Sequence, residues 1–365
     1  MPNGTRDIAA FQMEAVHEDL AAGFFKVFSD LGLGCTAYFN QRINTSRGDF
    51  FDVVSHPNVE VDYPLYEGRP SWDAVAERVK QQAPKALYFN TLQRDGIATW
   101  GDRFDLPVLA VVHNPYLFQA SGPCRELAKS GRLDMFGLAP HVVSKLIECV
   151  PELEGRAHLH LPYVWMPDEA DAYTEAPEIL DIVVPGAVNF ENRDFEGLLN
   201  HLKSSDVKGQ RPFKLSILAG GPDRAKLEGI IESDGLQRYF DLAPLHPETR
   251  RVPHSAYLQR LYSCHAILPL LPVGRPDYIQ SKVTTGVMAG LGIGRPIISG
   301  QMVASAYGYT PIEIPDDRPF DLAVADLSPS VLAHRRAESL SIRAAALKHN
   351  HATIKRVLEK ARVVQ

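Results

Sequence analysis

Short, uniformly apolar runs alternate with amphipathic stretches along most of this chain, and no other feature restricts its fold as strongly. The run Val108-Leu109-Ala110-Val111-Val112 is apolar at every position, so the strand it predicts is buried on both faces, as in a parallel sheet covered by helices. Parallel strands need crossover helices, and helical spacing follows: Leu20, Phe24, Val27, Phe28 and Leu31 share one face of a helix predicted over 16–31, which Gly32 and Gly34 stop. Strands are predicted over 7–13, 35–39, 86–90 and 108–112, with a further helix over 72–82. Together they make one doubly wound α/β unit.

The rhythm breaks between Trp165 and Ile179, where MPDEADAYTEAPE is acidic, carries Pro167 and Pro177 and has no apolar period. This is the best linker in the chain, assigned to 167–178. It then restarts with strands over 180–184, 213–218, 240–242, 266–271 and 296–299 and helices over 194–202, 224–231 and 283–291, a second doubly wound unit. A length of 365 residues suits two domains, here 1–166 and 179–329. From Ser330 onward the chain reads as a basic helix with Arg335, Arg336, Arg343, Lys348, Lys355, Arg356, Lys360 and Arg362. Two readings of 330–365 stand: contact with an anionic membrane surface or acidic partner, or a solvated charged helix that packs across both domains.

Charge and cysteine content exclude several classes. Lys and Arg number 38 against 44 Asp and Glu, a net charge of −6, whereas a nucleic-acid binder shows a basic excess. Cys35, Cys124, Cys149 and Cys264 lie far apart without C-x-x-C or C-x-x-H spacing, which argues against a zinc site or redox dithiol and for four reduced, mostly buried thiols. The polar start Met1-Pro2-Asn3-Gly4-Thr5-Arg6-Asp7 lacks the apolar core of a signal peptide, and no run approaches the ~18–20 apolar residues of a membrane span. These features predict a soluble cytoplasmic protein, with any membrane contact peripheral.

Ligands of open α/β sheets bind outside the carboxyl ends of the strands, so two such units in series predict a site in a cleft between them. The segment Pro276-Asp277-Tyr278-Ile279-Gln280-Ser281-Lys282-Val283-Thr284-Thr285-Gly286 joins a buried strand to a helix. Its reading places Ser281, Lys282, Thr284, Thr285 and Gly286 in the first helical turn, where free N–H groups, hydroxyls and an ammonium make an anion site. Taken singly, the threonines read as caps and Lys282 as a solvated charge; the cluster is what points to phosphate. Arg193, near the start of the helix after the first strand of this domain, can grip a diphosphate or form a surface ion pair. Gly220-Gly221 closes a neighbouring strand, a place where glycine pairs often only turn the chain.

Together with Gly294-Arg295-Pro296-Ile297-Ile298, which matches a G-x-P-[IV]-I segment, these features resemble the nucleotide-sugar domain of GT-B-fold glycosyltransferases, over about residues 180–300. The resemblance implies two Rossmann-like domains facing each other across a cleft, with acceptor bound by the first and nucleotide sugar by the second. Arg193, Gly220, Gly221, Tyr278, Ser281, Lys282, Thr284 and Thr285 would then bind the donor. Base recognition would use backbone groups near 243–246, and UDP is the commonest nucleotide of that superfamily. The chain departs from the large retaining clan: its pair of glutamates with seven residues between them is missing, since no glutamate lies between Glu248 and Glu313. Stereochemistry is therefore open, and the departure suggests a divergent branch that builds polysaccharide or glycolipid.

In the first domain, Val108–Val112 runs into His113-Asn114-Pro115, and many GT-B enzymes have a histidine so placed against the transferred sugar. Glu14 and His17 lie between the first strand and helix, where several inverting members keep their catalytic histidine. A neutral imidazole suits removal of the acceptor proton. His17 is the candidate base, Glu14 or Asp95 its substitute or orienter, and His113 the holder of donor sugar or acceptor; Asn90 and Thr91 are lesser candidates to line the cleft. No two aspartates stand in D-x-D spacing, which fits a metal-independent reaction with no cofactor beyond the nucleotide sugar. A nucleotide-sugar 2-epimerase and a non-catalytic GT-B-like binding module are the alternatives. Serine hydrolysis lacks G-x-S-x-G, and dinucleotide oxidoreduction lacks G-x-G-x-x-G after the first strand.

Overall fold

The structure is a computed structural model that describes residues 6–15, 17–48, 50–65, 69–161, 173–174, 177–204 and 212–364. The predicted linker falls outside these residues except at 173, 174, 177 and 178, as does the polar start 1–5. The chain divides into two compact units. Unit 1 comprises Met1–Trp165, Gln280–Lys282 and Ala346–Gln365, and unit 2 comprises Met166–Ile279 and Val283–Ala345.

Among the described residues, unit 1 holds seven parallel strands: β1 (Ile8–Gln12), β2 (Cys35–Phe39), β3 (Val59–Asp62), β4 (Ala86–Phe89), β5 (Val108–Val112), β6 (Leu133–Gly137) and β7 (Ala157–Leu159). Their order is β3-β2-β1-β4-β5-β6-β7. Ile8 pairs with Cys35 on one side and Ala86 on the other, so the chain reverses its direction of winding between β1 and β4. Helix Glu18–Asp30 lays Phe24 on Tyr88 at 4.5 Å between centroids and edge-on to Phe136 at 5.2 Å, the separations aromatic pairs favour. That helix starts two residues later than its periodicity suggests, because His17 takes a left-handed conformation (φ 72°) ahead of it.

Unit 2 is built on β8 (Leu180–Val184), β9 (Phe213–Ile217), β10 (Phe240–Leu242) and β11 (Ala266–Ile267), parallel and in the order β10-β9-β8-β11. A parallel bridge from Ile267 to Ile297 links β11 to the pair β12 (Ile298–Ser299) and β13 (Ile312–Glu313). The winding again reverses, between β8 and β11. Strand β11 ends four residues short of its predicted limit: Pro269 has no N–H to offer a ladder, and Leu270 turns the chain with φ 52°. Ile182, Val184, Leu198, Leu215, Ile217 and Leu227 form the centre of this core.

Helix Pro329–Lys360 supplies residues through Ala345 to unit 2 and those from Ala346 to unit 1. In unit 1 it buries Ile354, Val357 and Leu358, and Asn350 bonds both the N–H (2.9 Å) and the C=O (2.8 Å) of Leu161. Several of its basic residues have local partners, Arg335 with Glu338 at 2.6 Å and Lys355 with Glu359 at 3.7 Å. Among the described residues no helix is long and apolar enough to cross a membrane. Cys35, Cys124 and Cys264 are buried free thiols, and Cys149 is half-buried.

Candidate functional site

The carboxyl ends of β1, β4 and β5 converge where unit 1 reverses its winding, the position at which open α/β sheets bind ligands. Five polar groups meet there. Gln12 ends β1, Asn90 and Thr91 follow β4, His113 follows β5, and His17 precedes the first helix. The Asn90 amide donates to Gln12 Oε1 (2.9 Å) and to the carbonyl of His17 (2.7 Å), while Asn90 Oδ1 accepts from the Tyr88 hydroxyl at 2.8 Å. These bonds fix the left-handed turn at His17. Its ring then stacks on His113, centroids 4.1 Å apart and planes 13° apart.

Burial pushes the His113 pKa well below the usual imidazole range, and the neighbouring His17 lowers it further. A contact of 3.3 Å between His113 Nε2 and the Asn90 carbonyl opposes the shift without overcoming it. A neutral ring held in this way can donate or accept one hydrogen bond but not carry charge. His17, only half-buried, is the more accessible partner. Glu14 is ion-paired with Arg94 at 2.8 Å, so its carboxylate is already engaged by a cation. Asp95 opens the helix Asp95–Gly101.

In unit 2 the corresponding reversal point holds Arg193. The loop after β8 turns at Gly186 (φ 91°), and a Cβ there would lie 2.6 Å from Arg193 Nη2, so the guanidinium rests against the backbone at the strand end. Arg193 is 6% exposed. It donates to the Asn192 carbonyl at 2.8 Å and to Thr284 Oγ1 at 3.3 Å, and the Tyr278 hydroxyl also hydrogen-bonds it. Its Nε has no hydrogen-bond partner among the described residues. Burial lowers its pKa, while Tyr278 and Tyr307 act in the opposite sense. No carboxylate stands among its named partners.

Thr284 caps the helix Thr285–Ile293, its Oγ1 accepting from the Gly286 N–H at 3.4 Å. Its own N–H donates to the Tyr307 hydroxyl at 2.9 Å, and Tyr307 donates in turn to the Tyr278 carbonyl at 2.9 Å. The helix therefore begins later than its sequence suggests. Ser281 and Lys282 precede it, separated from the first turn by Val283 and the extended Thr284 (φ −109°, ψ 132°). Ser281 is buried and Lys282 half-buried, and both belong to unit 1, where His141 Nε2 contacts the Lys282 carbonyl at 2.9 Å. Thr285 is exposed.

Gly220 and Gly221 have a packing reason to be glycine. A Cβ on Gly221 (φ 145°) would lie 2.4 Å from the Val188 carbonyl oxygen, and one on Gly220 would lie 2.2 Å from that of Arg250. The close crossing lets Val188 N–H donate to the Gly220 carbonyl at 2.8 Å and anchors the loop that carries Arg193. Sequence reading missed Gln12, Arg94 and Tyr307. Gln12 carries a signal, as the single amide in the apolar run Ile8-Ala9-Ala10-Phe11-Gln12; Tyr307 carries none. Among the described residues no group of three His, Cys, Asp or Glu side chains forms a metal site.

No protein-family model and no curated protein sequence matches the chain. Solved structures do. The Anabaena protein Alr3699/HepE, solved in complex with UDP and glucose, superposes with a TM-score of 0.61 at 11% identity, covering 98% of this chain and 99% of that one. A glycosyltransferase from Rickettsia africae gives 0.58 at 12% identity over 96% and 98% of the two chains. A trehalose-6-phosphate protein from E. coli bound with UDP-2-fluoro glucose gives 0.58 at 10% identity, again over 96% and 98%. At these identities the likeness establishes the fold: two parallel, Rossmann-like α/β units of the GT-B type in one chain.

Proposed function

We propose that this protein is a metal-independent glycosyltransferase that moves a hexosyl group from a UDP-sugar to a hydroxyl of a carbohydrate or glycolipid acceptor. The observation that carries the reading is Arg193: a buried guanidinium at the winding reversal of unit 2, with Nε unpartnered among the described residues and no carboxylate among its named partners. A charge so placed is costly unless an anion joins it. A diphosphate supplies that anion, and the GT-B fold is shared with proteins solved with UDP and a sugar.

In transfer, the bond from the anomeric carbon to the diphosphate oxygen breaks and a bond to the acceptor oxygen forms. Negative charge grows on the departing UDP, where Arg193, Thr284 Oγ1 and the N–H groups at the start of the Thr285–Ile293 helix stabilise it. The acceptor loses its proton to His17, whose ring is held by the Asn90 contact to its carbonyl and by stacking on His113. His113, neutral and buried, offers one hydrogen bond to a sugar hydroxyl. The acceptor class, the cytoplasmic setting and a role in polysaccharide or glycolipid assembly belong to this proposal, and so does any peripheral membrane contact by the C-terminal helix.

A thermal-shift panel of nucleotides and nucleotide sugars tests the donor assignment, because a ligand bound only by the folded state raises its melting temperature. UDP or a UDP-sugar is expected to raise it; no shift with any member sinks the reading. With a donor in hand, UDP release that depends on acceptor separates transfer from epimerisation, and binding without turnover over an acceptor panel identifies a non-catalytic module. His17→Ala is expected to abolish transfer while leaving UDP affinity unchanged.

A further inference from the structure

Unit 2 contains a cavity of about 210 Å³ beside the loop that carries Arg193, and Tyr278 lines it. It opens at the carboxyl ends of β11 and β12, and Pro269, Leu271, Ile279, Ile298 and Val303 line it. Val273 (59% exposed) and Met302 (54% exposed) also line it and leave apolar surface in water.

The polar side chains on its wall all have partners. Asp316 accepts the Met302 N–H at 3.0 Å, and Ser299 Oγ bonds the Tyr309 hydroxyl at 2.7 Å. Arg275 is held by Asn192 Oδ1 at 2.6 Å and by Asp277 at 3.2 Å, and Tyr278 by Arg193. A heteroaromatic base or a sugar ring would bring several donors and acceptors against a wall that is mostly apolar, and buried unsatisfied polar groups are penalised. A hydrocarbon makes no such demand. The volume is also suitable, since an apolar cavity of about 150 Å³ takes up benzene.

From the apolar lining and the volume, we infer that this cavity is a binding site for a short alkyl chain. Tyr278 lines the cavity and contacts Arg193, and Arg275 lines it and contacts Asn192, so the site adjoins the anion-binding loop within the same unit. Alkyl binding here does not rest on the transfer activity proposed above.

The test uses the full chain with ¹³C-methyl methionine and n-alcohols from butanol to octanol as probes. The Met302 methyl resonance is expected to shift, with affinity rising about fourfold per methylene up to the length the cavity holds and then levelling. Val303→Trp, which fills the cavity, is expected to flatten the series. No Met302 shift, no dependence on chain length, or tighter binding of benzyl alcohol than of hexanol overturns the inference. The wild-type series decides the matter alone should the variant fail to fold. UDP affinity measured on the same sample keeps the two proposals apart, since UDP can fail to bind while the alcohols bind, and the reverse.

Discussion

Arg193→Met separates ligand binding from folding at the centre of unit 2. The substitution removes a guanidinium that is 6% exposed and its hydrogen bonds to the Asn192 carbonyl at 2.8 Å, to Thr284 Oγ1 at 3.3 Å and with the Tyr278 hydroxyl. Made by a charged group, each is worth about 1.5 kcal/mol net. Against that loss stands the desolvation of a buried charge, several kcal/mol in proteins, which the unliganded protein no longer carries once methionine fills the space. The folded state is therefore expected to change by less than about 1 kcal/mol, or to gain. Binding is expected to respond differently. A bidentate, charge-assisted grip on a diphosphate is worth about 3 kcal/mol, or roughly a hundredfold in Kd. Urea unfolding measures the first quantity and calorimetry with UDP the second. A variant that loses more than about 3 kcal/mol of stability while binding UDP with wild-type affinity would show that Arg193 is a structural residue and that the donor site lies elsewhere.

Three further outcomes follow from contacts already described. Gly221→Ala drives a Cβ into the Val188 backbone at a positive φ; strain and overpacking together are expected to cost about 3 kcal/mol or more, seen as a lower urea midpoint. Asn90→Asp places a carboxylate oxygen against Gln12 Oε1 and the His17 carbonyl, and is expected to cost about 2–3 kcal/mol and to slow transfer; unchanged stability and turnover would remove Asn90 from the site's architecture. His113, His160 (pKa about 3) and His56 (about 4) are all held neutral in the fold, chiefly by burial. Below the unfolded value of ~6.5 the unfolded chain binds more protons, so stability must fall with falling pH, approaching about 1.4 kcal/mol per pH unit for each histidine. Urea midpoints at pH 7, 6 and 5 that fail to drop would refute this.

Much of the fold was legible because buried parallel strands announce themselves. The runs at 35–39, 108–112, 180–184 and 240–242 coincide with strands β2, β5, β8 and β10. Strand β6 escaped because Asp134 interrupts its apolar run; its carboxylate pairs with His158, 2.7 Å away. Short helices such as Pro115–Ala120 and Gly122–Lys129 escaped too, although Asn114 and Ser121 cap them as their side chains suggest. At the candidate site, sequence reading singled out His17 and His113 separately. That they stack could not be read, since it depends on strand order placing β1, β4 and β5 together. The threonine cap at 284 was visible as a cluster of small polar residues, but its register was not, because Ser281, Thr284 and Thr285 are equally good capping residues on chemistry alone.

The helix that supplies both units has a consequence for how the chain is made. Residues 346–365 belong to unit 1, yet they leave the ribosome only after all of unit 2 has been synthesised. At ~5–20 residues per second, the roughly 180 intervening residues take about 10–35 s. For that time the first seven strands exist without the side chains of Ile354, Val357 and Leu358 over their core and without Asn350 on the backbone of Leu161. The contacts of unit 1 are thus completed only by residues made after those of its neighbour.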